Sequence, residues 1–136
     1  MNAQVKIDQL LQRLSPILNR EHLVMCQLSE EQLRELLGDC LCIFREREGL
    51  SALLPRQIAA RERLATLGDF RQITLHFSSC QQVPGLIANV VRELADAGIQ
   101  ANVESAHYHE HILVSERDTA QAMQILNGIS NRLQYS

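Results

Sequence analysis

Three histidines at alternate positions, His107, His109 and His111, are the residues whose spacing first suggests chemistry. On one uninterrupted strand they would share a face, and three imidazoles could hold Zn²⁺. The sequence instead predicts a hairpin turn around His109, which disperses the rings. Only Glu110 and His76 stand where they could complete a ligand set. Polar hairpin or pocket-wall residues are therefore expected here, with no metal and no other cofactor.

The second chemical feature is Pro84-Gly85, which follows the polar run Ser78 to Val83 and opens an amphipathic segment. Free N–H groups at the mouth of a helix, here Gly85 and Leu86, can receive a carboxylate with help from the helix dipole. Glycine also lets a ligand approach the backbone where a Cβ would block it. Asn102, or strand carbonyls beside it, could accept hydrogen bonds from an ammonium group. The plainer reading is a helix entry at Pro84-Gly85 and an exposed strand residue at Asn102. Nucleophile elbow, phosphate-binding glycine loop and paired carboxylates beside a base are all missing from the sequence, so no catalytic residue is assigned. Cys26, Cys40 and Cys42 lie in apolar runs and are expected to be reduced, buried thiols. Cys80 sits in the polar loop with no neighbour that marks it as a nucleophile.

Composition narrows the classes. The 136 residues are 46% hydrophobic and 4% aromatic, with a formal net charge of −3. That is a globular composition with an aliphatic core. No basic cluster stands out, and the outward positions of the strand at 73–77 are Gln72, Thr74 and His76 rather than stacking aromatics. Nucleic acid is therefore not an expected partner. Apolar runs are too short for a membrane span, and the charged amphipathic N-terminus does not resemble a signal peptide. A cytoplasmic location is expected.

The elements that must position these residues follow from periodicity. Ile7, Leu10, Leu11 and Leu14 fall on one helical face, and Pro16 should end that helix. A loop is expected over 17–22, then a strand at 22–28. Ser29 with Gln32 forms a capping box for a short helix that Gly38 stops. Strands follow at 40–46 and 50–54 around a turn at Glu48-Gly49. Pro55 should open a helix reaching Leu67. From Phe70 the order repeats: strand, helix from Pro84 to Ala97 closed by Gly98, strand at 99–105, strand at 111–115, and a final helix capped by Ser115 and Asp118. Ile99, Ala101 and Val103 should face inward. Residues 131–136 should form a short edge strand or fray.

The chain thus reads as an α+β protein of two ferredoxin-like βαββα modules, at 22–68 and 70–129, each an antiparallel sheet with helices on one face. With the N-terminal helix assigned to the first, the domains are 1–68 and 69–136. The copies differ at one place: the first joins strand to helix at Leu28-Ser29, whereas the second inserts Ser78 to Val83. Loops longer than connectivity requires tend to carry function.

Over Val83 to Ala106 the sequence resembles the ACT domain. Pro84, Gly85, Leu86, Leu94, Ala97, Gly98, Ile99, Asn102 and Val103 match that family's pattern in order. The whole chain is similar to a group of small bacterial proteins with tandem ACT-like modules, through Leu14-Ser15-Pro16, Phe44 to Pro55, and Tyr108 to Val114. The resemblance implies a regulatory, non-catalytic module that binds an amino acid where a strand–helix loop meets a neighbouring sheet edge. The implied ligand residues are Gln82, Val83, Pro84, Gly85, Leu86, Asn102 and Val103; His109 and His111 are added as pocket wall because their hairpin is expected near the module interface. Gln82 stands where the family usually has an acid, which removes a negative charge from the loop. Side-by-side pairing implies a homodimer or higher oligomer. The alternative is a dimerisation module with a vestigial pocket.

Overall fold

The structure, a computed structural model, describes residues 3–77 and 83–134, with side-chain burial omitted for Ala3 and Gln134. Cys80 and Gln82, each singled out from sequence, lie outside the described residues. The chain divides into two compact units, one of residues up to Asn19 together with those from Gln72 onward, the other Arg20–Arg71.

The contiguous unit runs β2 (Leu23–Leu28), α2 (Glu30–Leu36), β3 (Cys42–Glu46), β4 (Gly49–Pro55), α3 (Arg56–Arg61) and the start of β5 (Thr66–His76). Its strand order is β3-β4-β2-β5, all antiparallel. Val24, Cys26 and Leu28 alternate onto one face of β2, where they meet Ala52 and Leu54 of β4 and bury Leu36 and Ala59 from the helices. The expected capping box forms: Gln32 N–H donates to Ser29 Oγ at 3.1 Å, and Ser29 N–H to Gln32 Oε1 at 2.9 Å.

Helix α3 is shorter than expected, ending at Arg61 rather than Leu67. Arg63 takes φ +56, and the N–H groups of Arg63 and Leu64 bond back to the carbonyls of Ala60 and Ala59. That closure normally uses glycine, so its usual sequence signal is absent. Thr66 and Leu67 are then drawn into pairing with Cys26 and Met25. The register against β2 shifts between Leu67 and Phe70, and Gly68 at φ +78 lies in the bulge.

The second unit holds α1 (Ala3–Gln12), β1 (Ser15–Leu18), β5 from Gln72, α4 (Leu86–Asp96), β6 (Ala101–Ser105), β7 (Glu110–Ser115) and α5 (Thr119–Gln134). Here β5 lies between β1 and β7, and β6 borders β7. Ile73, Leu75, Ile112 and Val114 turn toward the helices and meet Leu10 and Leu11 of α1, Val90 and Leu94 of α4, and Leu126 and Ile129 of α5. Gln12 Nε2 donates to the Leu133 carbonyl at 3.1 Å, joining α1 to the end of α5.

Several expectations change in this unit. Residues 15–18 form a strand instead of entering a loop. Asn19 N–H donates to the Gln72 carbonyl, so by alternation Ile17 N–H also faces β5 while Pro16 faces away, where its missing donor costs nothing. The N-terminal helix and β1 thus pack with residues 72–134, although the sequence reading grouped them with the first module. Their apolar face is completed by α4 and α5, a pairing that local periodicity does not specify. No side-chain cap forms at Ser115; a 3₁₀ turn, Glu116–Asp118, intervenes before α5. Residues 131–134 continue α5 rather than forming a strand. Val103 is 39% exposed, because β6 is the border strand of this unit and its inward face is only partly covered.

Candidate functional site

The Pro84-Gly85 turn is built by its own backbone. Gly85 is the N-cap of α4 with φ +89 and ψ −11, a left-handed conformation. A Cβ there would meet Ile7 Cδ1 at 3.4 Å, an ordinary contact. Backbone conformation, rather than space, is what requires glycine. Leu86 N–H donates to the Val83 carbonyl at 3.1 Å, so it is not the free carboxylate donor the sequence suggested. The Gly85 carbonyl accepts from both the backbone N–H of Asn89, at 3.0 Å, and its Nδ2, at 2.7 Å. At the far end of α4, Gly98 and Ile99 N–H bond to the carbonyls of Ala95 and Leu94, closing the helix as the sequence predicts.

A groove of about 520 Å³ opens from Gly85 along α4, lined by Ala88, Asn89, Val91, Arg92 and Ala95. It joins small apolar side chains to one guanidinium and one amide, a combination suited to an amphipathic molecule with a carboxylate. Sequence reasoning missed Asn89, Arg92 and the groove wall; the relevant signal was their spacing one turn and two turns beyond Gly85. Asn102 and Val103 stand on β6, paired in register with Leu113 and Ile112. Among the described residues, no hydrogen bond joins them to the Val83–Leu86 turn.

His109 and His111 belong to a different group. It lies on the sheet face of this unit away from the helices. Gln72 and Thr74, expected to be solvated there, are each only 7% exposed. Asn19 Nδ2 donates to Gln72 Oε1 at 2.7 Å and to Thr74 Oγ1 at 3.1 Å. Thr74 Oγ1 lies 3.0 Å from His111 Nδ1. The His109 ring packs 4.0 Å from His76 and 6.2 Å from His111, centroid to centroid. His107 instead meets Tyr108 edge-on at 4.6 Å. The turn, predicted to disperse all three rings, sets His107 apart, but His109 and His111 stay together because both pack toward the end of β5. No group of three His, Cys, Asp or Glu residues among the described residues is arranged to hold a metal ion.

Burial pushes the His111 pKa down, reinforced by His109 and His76 and opposed by Glu110. Burial likewise raises the thiol pKa of Cys26, with Cys40 nearby, and of Cys40, with Asp39 nearby. Thiols held protonated in this way are poor nucleophiles and metal ligands. No helix among the described residues is long and apolar enough to cross a membrane.

Each unit has the four-stranded antiparallel sheet and one-sided helices of a ferredoxin-like module, and comparison with known proteins places that pattern. ACT-domain profiles match residues 67–128 and 3–71. The chain belongs to the ACT domain family, whose members are regulatory, non-catalytic modules that bind small molecules such as amino acids. No curated protein matches the sequence. Among solved structures, a Vibrio cholerae protein of unknown function, described as a possible transport protein, is 33% identical with a TM-score of 0.85. The match covers 95% of this chain and 99% of that one. An Agrobacterium tumefaciens protein is 18% identical, with a TM-score of 0.69 and coverage of 87% and 90%. The ligand-free regulatory subunit of aspartate kinase from Thermus thermophilus is 9% identical, with a TM-score of 0.67 and coverage of 84% and 95%. The last two likenesses establish the fold.

Proposed function

We propose that this protein is a metabolite sensor that binds an amino acid in the groove beginning at Gly85. The carrying observation is the left-handed Gly85 at the head of α4, opening on a groove that holds Arg92 and Asn89 beside Ala88, Val91 and Ala95. Arg92 would receive the ligand carboxylate, and the small residues would accept its side chain. A ligand with higher affinity for one association state of the protein shifts the population toward that state. Thermal-shift measurement with each of the twenty amino acids tests the reading. A ligand at about one hundred times its Kd adds about 2.7 kcal/mol of stability. Arg92→Ala should abolish that response while leaving the unliganded melting temperature near wild type, because the side chain is exposed. No response to any amino acid would overturn the proposal.

A second reading is favoured by a separate observation. Ile43 and Phe44 on the border strand β3 are 37% and 48% exposed, with Leu41 beside them at 37%. Apolar side chains on a strand that borders the sheet of the described residues suit pairing between copies of the chain. In that case Phe44→Glu would lower the association state measured by sedimentation, with or without amino acids present.

A further inference from the structure

We propose that His76, His109 and His111 form a proton-operated latch that holds the β6–β7 turn against the end of β5. The three rings come from two segments that are distant in sequence: His76 ends β5, and His109 and His111 flank the start of β7. Rings with centroids 4.0 and 6.2 Å apart pack together as neutral imidazoles, whereas two adjacent imidazolium ions repel. Beneath them, Thr74 Oγ1 already receives a hydrogen bond from Asn19 Nδ2. Its hydroxyl hydrogen is then best placed on His111 Nδ1, at 3.0 Å. That arrangement needs Nδ1 to be unprotonated, and it ties His111 through Thr74 and Asn19 to the end of β1. Protonation of Nδ1 ends the donation from Thr74 and adds charge beside His109.

The groups around His111 define the balance. From β5 come Thr74 and His76, from the end of β1 Asn19, and from β6 its register partner Glu104. Its own segment contributes His109 and Glu110. Glu110 pulls toward the charged form, but burial and the two neighbouring rings outweigh it, so His111 stays neutral at neutral pH. Positive charge gathered on these close-packed rings as pH falls pushes them apart. Their separation releases the turn at Ala106–His109, whose own backbone hydrogen bond runs from Ala106 N–H to the His109 carbonyl at 3.0 Å. The latch thereby makes the end of β5 responsive to mild acid.

The full-length chain tests this without any ligand, so the outcome is independent of whether amino acids bind. Histidine C2–H resonances are followed by NMR from pH 8 to 5, together with amide exchange at residues 105–110 corrected for intrinsic pH dependence. The expected result is a His111 titration curve broader than a single-proton curve and displaced below the ordinary histidine range. Corrected exchange in the turn should rise several-fold over the same range. His109→Phe keeps a ring in the stack but cannot take a proton, so its turn should remain protected at pH 5.5. Independent single-proton curves for all three rings would overturn the latch. So would equal pH-induced opening in the wild type and His109→Phe.

Discussion

Gly85 shows how one residue's backbone can matter more than its contacts. A methyl group would fit beside Ile7, yet φ +89 is a conformation that an L-residue adopts only at a cost. Gly85→Ala is therefore expected to destabilise the protein by roughly 1–2 kcal/mol in urea denaturation. Gly38→Ala is the control, because Gly38 lacks a positive φ and has open space around its Cβ position; it should remain within about 0.5 kcal/mol of wild type. His111 supplies a second residue-scale expectation. Folding lowers its proton affinity, so the unfolded chain binds more protons and stability must fall as pH decreases. That loss begins near the ordinary histidine pKa of about 6.5 and continues through the lower folded value. His111→Asn should flatten the melting-temperature profile between pH 8 and 5 relative to wild type. An unchanged slope would show that other groups govern the acid response.

At the scale of elements, termini decide more than interiors. The Ser29–Gln32 box satisfies donors at the start of α2 that would otherwise face water alone, and Ser29→Ala should cost about 1 kcal/mol. Strand β1 offers a sharper contrast. Pro16 is accommodated because its nitrogen points away from β5, whereas Ile17 N–H points toward it. Ile17→Pro should therefore remove a ladder bond and cost about 1–3 kcal/mol, measured by chemical denaturation. Side-chain burial contributes little to that difference, since Ile17 is 45% exposed. The exposed Arg132–Glu93 pair, 2.8 Å apart between α5 and α4, is expected to matter less, because such surface pairs are worth about 0–1 kcal/mol.

For the whole molecule, the consequential feature is that one unit is continuous and the other is assembled from both ends of the chain. Residues 72–136 alone lack α1 and β1, which cover Ile73, Leu75, Leu126 and Ile129. That fragment should fail to fold cooperatively by circular dichroism melting, and adding a peptide of residues 1–19 in trans should restore a transition. Failure of the peptide to change the fragment would count against this assembly. The ACT-domain profiles, which meet at residues 67–71, follow the linear order of the repeats. The packing follows a different one.

Local rules carried the sequence reading a long way. Alternation in β2 and β4, helical spacing in α4, the Ser29 box and the Gly98 closure were all legible, because each depends on residues within a few positions of one another. So were the duplicated α+β pattern and the family resemblance at Pro84-Gly85. The tertiary structure alone decided which unit α1 and β1 complete, and it moved Gln72 and Thr74 from expected solvent to a buried network with Asn19 and His111. It also showed that Leu86 N–H is already occupied by Val83, and that Arg92 rather than Asn102 shares a groove with Gly85. The physical reason is range. Periodicity and capping are encoded over one or two turns of chain, whereas the unit that α1 completes and the buried network depend on partners brought together by folding, 121 residues apart for Gln12 and Leu133 and 55 for Asn19 and Thr74.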